Sequence, residues 1–220
     1  MSGFPQGVAV VIGGSGGLGQ AVCRQLAARR CNVALTYRSR ADVAQALARE
    51  ISDSGVLAQA FALDLADRGQ SNAALEEIAA SFGRIHTLVF ASGADISMVH
   101  VAHIDPDEWD RTMRGDLDGF FNVVRPTLKL MREGGGGSIV AITSAGIDRH
   151  PPMDILSTVP KAGIEALMRG IAREEGRYGI RANCVAPGIV DDGLFLRLKE
   201  QVKPEFVEAM RRNTALRRFG

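Results

Sequence analysis

Residues 8–19, VAVVIGGSGGLG, decide the fold of this chain. Val8–Ile12 is a continuous apolar run rich in β-branched side chains, which predicts a buried strand, and a glycine-rich turn follows it at once. Residues 20–30 then carry helix formers with apolar side chains at helical spacing. A strand, a glycine-rich turn and a helix in this order are typical of a phosphate-binding unit, because backbone N–H groups and the helix N-terminus can hold a pyrophosphate.

The turn itself supplies the candidate phosphate contacts, which are Gly13, Ser15, Gly16, Gly17, Leu18 and Gly19. Its spacing, Gly-x-x-x-Gly-x-Gly, has one residue more in the first gap than the general dinucleotide fingerprint. A purely structural turn is the alternative, and the position between a strand and a helix favours binding over it.

Strands and helices alternate along the rest of the chain. The other predicted strands are residues 32–37, 57–63, 86–91, 138–143 and 181–186, and the other predicted helices are residues 41–52, 71–82, 106–131 and 157–177. Such repetition predicts parallel strands covered by helices. We therefore expect an α/β fold with a doubly wound parallel sheet (Rossmann fold) of at least six strands, in a single domain spanning residues 1–220.

Composition excludes several other classes of protein. Among 220 residues, 26 Lys and Arg stand against 25 Asp and Glu, so no excess of positive charge favours nucleic acid or an anionic membrane as a partner. The apolar runs are far shorter than the roughly 20 residues of a membrane-spanning helix, and residues 1–7 do not resemble a secretory signal. Three cysteines without metal-ligand spacing predict packing residues, no metal site and a cytoplasmic protein.

The end of the second predicted strand indicates the cofactor. In the dinucleotide fold an acidic residue there receives the adenosine ribose 2′-hydroxyl of NAD. This chain instead has Tyr37, Arg38 and Ser39, and a guanidinium with a hydroxyl suits a 2′-phosphate. We therefore predict NADP(H), with NAD(H) less favoured; a solvated loop arginine is the alternative.

Taken together, these motifs resemble the short-chain dehydrogenase/reductase family, from about Val8 to the last residue. The glycine spacing, Lys161-Ala162-Gly163 and residues 183–188, NCVAPG, carry the resemblance. It implies further cofactor contacts at Asp64, Leu65, Ala91, Ser92, Gly93, Lys161, Pro187, Gly188 and Ile189. It also implies a homo-oligomer, a dimer or tetramer, and a last helix and edge strand after residues 216–220 that this sequence lacks.

The family's catalytic residues carry over only in part. The resemblance places Ser144 at the position of the serine that holds the substrate oxygen, and Lys161 at that of the lysine. The proton-donating tyrosine, four residues before the lysine, is Ser157, whose hydroxyl is far less acidic than a phenol. The asparagine of the family's water relay is Asp116. The predicted catalytic set is therefore Ser144, Ser157, Lys161 and Asp116.

A branch of the family, the 2,4-dienoyl-CoA reductases, resembles this chain in carrying Ser-x-x-x-Lys in the signature helix. There a tyrosine of the preceding loop donates the proton, and residues 145–147 contain none. Asp148, His150 and Asp154 lie in the same loop, where His150 would be a competent acid, although a solvated histidine is the simpler interpretation.

Two functions follow as hypotheses. The first is an NADP(H)-dependent oxidoreductase that transfers a hydride to or from a carbonyl, an alcohol or an activated alkene, with a small-molecule substrate such as a 3-oxoacyl, enoyl or dienoyl thioester. The second is a catalytically silent NADP-binding member that serves as a partner subunit or sensor. The missing tyrosine favours the second hypothesis, and the retained Ser144 and Lys161 favour the first.

Overall fold

The computed structural model describes residues 3–220. Six strands of that part form one parallel sheet in the order β3-β2-β1-β4-β5-β6. The strands are β1 Val8–Ile12, β2 Val33–Tyr37, β3 Ala58–Ala62, β4 Ile85–Phe90, β5 Gly137–Ile142 and β6 Ile180–Val185. The predicted doubly wound sheet is thus confirmed. Its strand order reverses between β1 and β4, and ligands of such sheets bind at the carboxyl ends of the strands at this point.

Helices connect the strands and continue after the last one. They are α1 Gly17–Ala28, α2 Ala41–Asp53, α3 Arg68–Phe82, α4 Pro106–Met113, α5 Gly119–Glu133, α6 Gly146–Arg149, α7 Ile155–Glu175, α8 Leu194–Gln201 and α9 Pro204–Asn213. Short 3-10 helices lie at Val101–His103 and Gly176–Tyr178.

The core lies on both faces of the sheet, and β1 runs through its middle with every residue fully buried. Successive side chains of a strand point to opposite faces. Val10 accordingly packs with Phe90 and Phe120 on one face, while Val11 packs with Leu35 on the other. This arrangement explains why β1 reads as an uninterrupted apolar run rather than an alternating one.

One predicted helix is wrong as a single element. The helix expected over residues 106–131 is divided into α4 and α5 by a π-helical turn, Arg114–Asp118. Such turns insert an extra residue and are frequent at functional sites. Just after it, α5 approaches the loop after β3 so closely that a Cβ at Gly119 would lie 2.8 Å from Leu65 Cβ.

Cys23 and Cys31 are buried in the core. Burial raises the pKa of Cys23 to about 12 and that of Cys31 to about 11, so both thiols are poor nucleophiles. Among residues 3–220, no helix is both long and apolar enough to cross a membrane. That part of the chain also holds no grouping of His, Cys, Asp and Glu that could bind a metal ion.

Candidate active site

The glycine-rich turn forms a cradle at the carboxyl end of β1. α1 begins at Gly17, and its N-cap residue Gly16 offers no side chain to the first backbone N–H groups. A Cβ at Gly19 would lie 2.2 Å from the carbonyl oxygen of Gly13, so backbone fills the space that a side chain would need. The cradle contains all the predicted turn residues, Gly13, Ser15, Gly16, Gly17, Leu18 and Gly19. An uncapped helix N-terminus lined by close backbone fits a dinucleotide pyrophosphate.

Asp192, in the loop after β6, lies across this cradle. Both of its carboxylate oxygens would stand 2.8 Å from a Cβ at Gly17, and Oδ1 accepts a hydrogen bond of 2.6 Å from the N–H of Gly193. The carboxylate therefore sits near the positive end of α1. A pyrophosphate approaching the same N–H groups would meet a like charge.

The end of β2 carries two arginines, one of which contacts the cradle. Tyr37 is half-buried, whereas Arg38 and Ser39 are exposed. Arg40, which sequence analysis did not single out, donates from its guanidinium to the carbonyl oxygen of Ser15. Arg40 is the N-cap residue of α2. Its position directly before a predicted helix was the sequence signal that could have identified it.

The predicted cofactor contacts Asp64 and Leu65 lie in the turn after β3. The Asp64 carboxylate accepts a hydrogen bond of 3.0 Å from the N–H of Ala66, which closes the turn. The carbonyl oxygen of Leu65 accepts a hydrogen bond of 2.9 Å from the side-chain amide of Asn122 in α5. This turn is thereby anchored to the buried side of the sheet.

The loops after β4 and β6 complete the cofactor edge. Ala91 extends the pairing of β4, because its N–H donates to the carbonyl oxygen of Ile12 at 2.9 Å. Ser92 lies so near the cradle that a Cβ at Gly13 would be 3.0 Å from its Cα. The remaining predicted contacts in these loops are Gly93, Pro187, Gly188 and Ile189, and the carbonyl oxygen of Pro187 accepts a hydrogen bond from the N–H of Ala145 at 3.0 Å.

Lys161 forms a buried ion pair with Asp116. Its Nζ lies 3.2 Å from Oδ2 of Asp116, and the two side chains are only 9% and 5% exposed. The same Nζ donates to the carbonyl oxygen of Ser92 at 2.8 Å and lies 5.5 Å from the ring centre of Phe90. Asp116 reaches the lysine from the π-helical turn. The structure thus brings these two predicted catalytic residues together, one with the other and with a predicted cofactor contact.

The two predicted catalytic serines differ in their surroundings. The Oγ of Ser144 accepts a hydrogen bond of 3.0 Å from the N–H of Gly146. Because an acceptor role occupies a lone pair only, the Ser144 hydroxyl keeps its proton for a substrate oxygen. Ser157 lies half-buried in the first turn of α7, and within residues 3–220 its hydroxyl makes no hydrogen bond.

The loop between these serines holds one half-buried acid. Asp148 and His150 are exposed, whereas Asp154 is partly buried and precedes α7 as its N-cap residue. A Cβ at Gly146 would stand 2.9 Å from Oδ2 of Asp154. Burial raises the pKa of Asp154 to about 6.

With this geometry in place, comparison with known proteins identifies the family. Residues 7–203 match the short chain dehydrogenase family. The chain is 31% identical over 220 residues to an acetoacetyl-CoA reductase from Synechocystis sp., covering 99% of this chain and 84% of the relative. It is 30% identical over 212 residues to a 3-oxoacyl-(acyl-carrier-protein) reductase from Staphylococcus aureus, covering 96% and 84%.

Solved structures agree with this result. The crystal structure of levodione reductase superposes with a TM-score of 0.93 at 27% identity, covering 99% of this chain and 86% of that one. The chain therefore belongs to the short chain dehydrogenases, a family of oxidoreductases with a nucleotide-binding Rossmann fold.

Proposed function

We propose that the protein is an NADP(H)-dependent oxidoreductase that reduces the carbonyl group of a 3-oxoacyl thioester or a similar small substrate, or forms that carbonyl group in the reverse direction. Activated alkenes such as enoyl or dienoyl thioesters are the other acceptor class. The observation that carries this proposal is the buried Lys161, which is fixed beside Ser92 at the carboxyl ends of the strands. The names of two relatives, a 3-oxoacyl-(acyl-carrier-protein) reductase and an acetoacetyl-CoA reductase, favour the thioester class.

The cofactor, Lys161 and Ser144 would have distinct roles in the reaction. The bound nicotinamide would supply or accept the hydride. Asp116 and Ser92 engage two of the three N–H donors of Lys161, which leaves the third for a ribose hydroxyl of the cofactor. Ser144 is oriented by Gly146 and would donate to the substrate oxygen, where negative charge develops during reduction.

The cofactor preference rests on Arg38 and Arg40, both at the end of β2. A charge-assisted contact to a 2′-phosphate contributes about 1.5–3 kcal/mol, which corresponds to roughly tenfold to a hundredfold tighter binding of NADPH than of NADH. Calorimetric titration tests this difference. Arg38→Ala and Arg40→Ala should each reduce it, whereas Arg49→Ala, an exposed arginine further along α2, should not. Equal affinities in the wild type would overturn the preference.

A catalytically silent, cofactor-binding protein is the second candidate. Ser157 stands four residues before Lys161, where the resemblance implies tyrosine, and Asp116 neutralises the lysine charge. A neutralised lysine gives little electrostatic help to a nearby hydroxyl acid. On this alternative the chain would act as a partner subunit or sensor. A cytoplasmic location and a homo-oligomeric state remain predictions under either candidate.

One experiment separates the two candidates. Oxidation of NADPH is followed with acetoacetyl-CoA, an enoyl thioester, a dienoyl thioester and simple ketones, with cofactor affinity measured in parallel. We expect turnover of at least one thioester. Lys161→Ala should abolish turnover and weaken NADPH binding about tenfold, whereas Lys129→Ala, an exposed lysine of α5, should do neither. Tight NADPH binding without turnover of any acceptor would support the silent protein.

A further inference from the structure

Reduction of a carbonyl needs a proton donor, and the predicted catalytic residues do not supply a good one. Ser157 has an ordinary alcohol, which is a weak acid near neutral pH. The Lys161 ammonium is held by Asp116 and Ser92 rather than by Ser157. A donor therefore has to come from another titratable group near Ser144.

Asp154 is the group that meets this requirement. A small group at Gly146 would touch both Oδ2 of Asp154, at 2.9 Å, and Oγ of Ser144, at 3.0 Å. The carboxyl thus borders the same small space as the Ser144 hydroxyl, which in the proposed function donates to the substrate oxygen. Within residues 3–220, no hydrogen bond or ion pair reaches the Asp154 carboxyl. It also keeps some solvent exposure, so a ligand can reach it.

We infer that Asp154 is the proton donor of the reduction, in place of the absent tyrosine. This inference rests on the proposed hydride transfer and extends it to the acid. Met153, directly before it, has φ of 69°, a left-handed conformation that L side chains rarely adopt. Backbone in such a conformation persists where the surrounding structure fixes it, and it is concentrated at functional sites.

The electrostatic setting suits an acid that works near neutral pH. Burial raises the pKa of the Asp154 carboxyl to about 6. An acid is most effective when its pKa is near the working pH. The charged groups on α7 and on the elements packed against it are Lys161, Glu165, Arg169, Arg173, Glu174, Glu175, Asp107, Glu108, Asp110, Arg111, Arg114, Asp116, Asp118, Asp148, Arg149, Arg177 and Arg181. Lys161 and Asp116 pair with each other, and none of the others forms an ion pair with Asp154.

The proton from Asp154 completes the reduction. With the reduced cofactor bound, a nicotinamide C–H bond would break and its hydride would form a new C–H bond at the carbonyl carbon, while the π electrons of the C=O bond move to oxygen. The O–H bond of Asp154 breaks as that oxygen takes the proton, so the carbonyl is reduced to an alcohol and the cofactor is oxidised. The Asp154 carboxylate then recovers a proton from water. In the reverse direction it accepts the alcohol proton.

The test measures kcat/KM for acetoacetyl-CoA reduction by NADPH from about pH 5 to about pH 9. Asp154→Asn should lower it at least a hundredfold. Asp154→Glu should retain activity within about tenfold of wild type and move the fall of the pH profile, because a different carboxylic acid then titrates. NADPH affinity should be unchanged in both variants. Asp148→Asn, which removes an exposed carboxyl of the same loop, should leave rate and profile unchanged.

Three results would overturn the assignment. If the wild type turns over and Asp154→Asn retains activity within a few-fold, Asp154 is not the donor, although the proposed function stands. If the wild type binds NADPH but reduces no acceptor, both fail together. A pH profile that is the same in wild type and Asp154→Glu would also contradict the assignment, whatever the rate.

Discussion

Breaking the buried pair of Lys161 and Asp116 should destabilise the protein strongly and non-additively. At 3.2 Å and an effective dielectric constant of about 20, the attraction is about 5 kcal/mol, largely offset by the desolvation of both charges. Removing one partner leaves the other buried and unpaired, which costs about 3–5 kcal/mol. Asp116→Asn keeps a hydrogen-bond acceptor and should cost about 2–4 kcal/mol, or roughly 4–16 °C in Tm for a chain of this size.

Urea unfolding followed by circular dichroism measures these costs, with Lys161→Met and the double variant completing the cycle. The double variant should be at least about 2 kcal/mol more stable than the sum of the single losses predicts, because no unpaired charge then remains. Arg24 and Glu50 form a matched exposed pair, 2.7 Å apart with side chains 47% and 53% exposed. Their cycle should give less than about 1 kcal/mol. Additivity within about 0.5 kcal/mol at Lys161 and Asp116 would refute the reasoning.

Three further predictions concern other charged or titratable groups. Asp192→Asn removes the carboxylate at Gly17 and should tighten NADPH binding about fivefold at low salt, and less at high salt. Glu200→Gln on α8 is the control, and unchanged or weaker NADPH binding by Asp192→Asn would contradict the repulsion. Asp154→Asn should raise the free energy of unfolding at pH 7 by about 1–2 kcal/mol, because burial opposes the ionised carboxylate. The gain should shrink as pH falls below about 6 and be nearly gone at about pH 4, and a loss of stability at pH 7 would contradict this. His86 is buried, and its pKa is lowered to about 4, mainly by burial and partly by Arg84, so the unfolded state binds more protons between about pH 4 and 6.5. Wild-type stability should therefore fall by about 1–3 kcal/mol as pH decreases through that window. His86→Gln should flatten this slope, and a variant with the same slope would exclude His86 as its source.

The strands were predictable because local patterns determine them. Val8–Ile12 was predicted without error, since burial on both faces leaves only apolar residues in it. The break between α4 and α5 was not predictable, because the helical pattern continues through the π-helical turn. α8 and α9 were also not predicted, since neither has a buried residue or a side-chain cap to mark it.

The candidate site was predictable where a motif marks it and not where the tertiary structure assembles it. The sequence indicated Lys161 and Asp116 separately. Their ion pair became visible only in the structure, where Asp116 lies in the π-helical turn. Arg40 and Asp192 reach the cradle from the ends of β2 and β6, which lie far apart in sequence. Asp154 approaches Gly146 because α6 folds the loop back, with a left-handed residue at its end, and no spacing rule gives that contact.

Hydride transfer is tested most directly by a single-turnover experiment with NADPH labelled with deuterium at the transferred position. The protein is mixed with labelled NADPH and acetoacetyl-CoA, and the product is examined by mass spectrometry and NMR. We predict one deuterium per product molecule, on the carbon of the former carbonyl group. Lys161→Ala should form no labelled product. NADPH that binds at the glycine-rich cradle while no acceptor of the thioester or ketone classes takes up deuterium would contradict the proposed function.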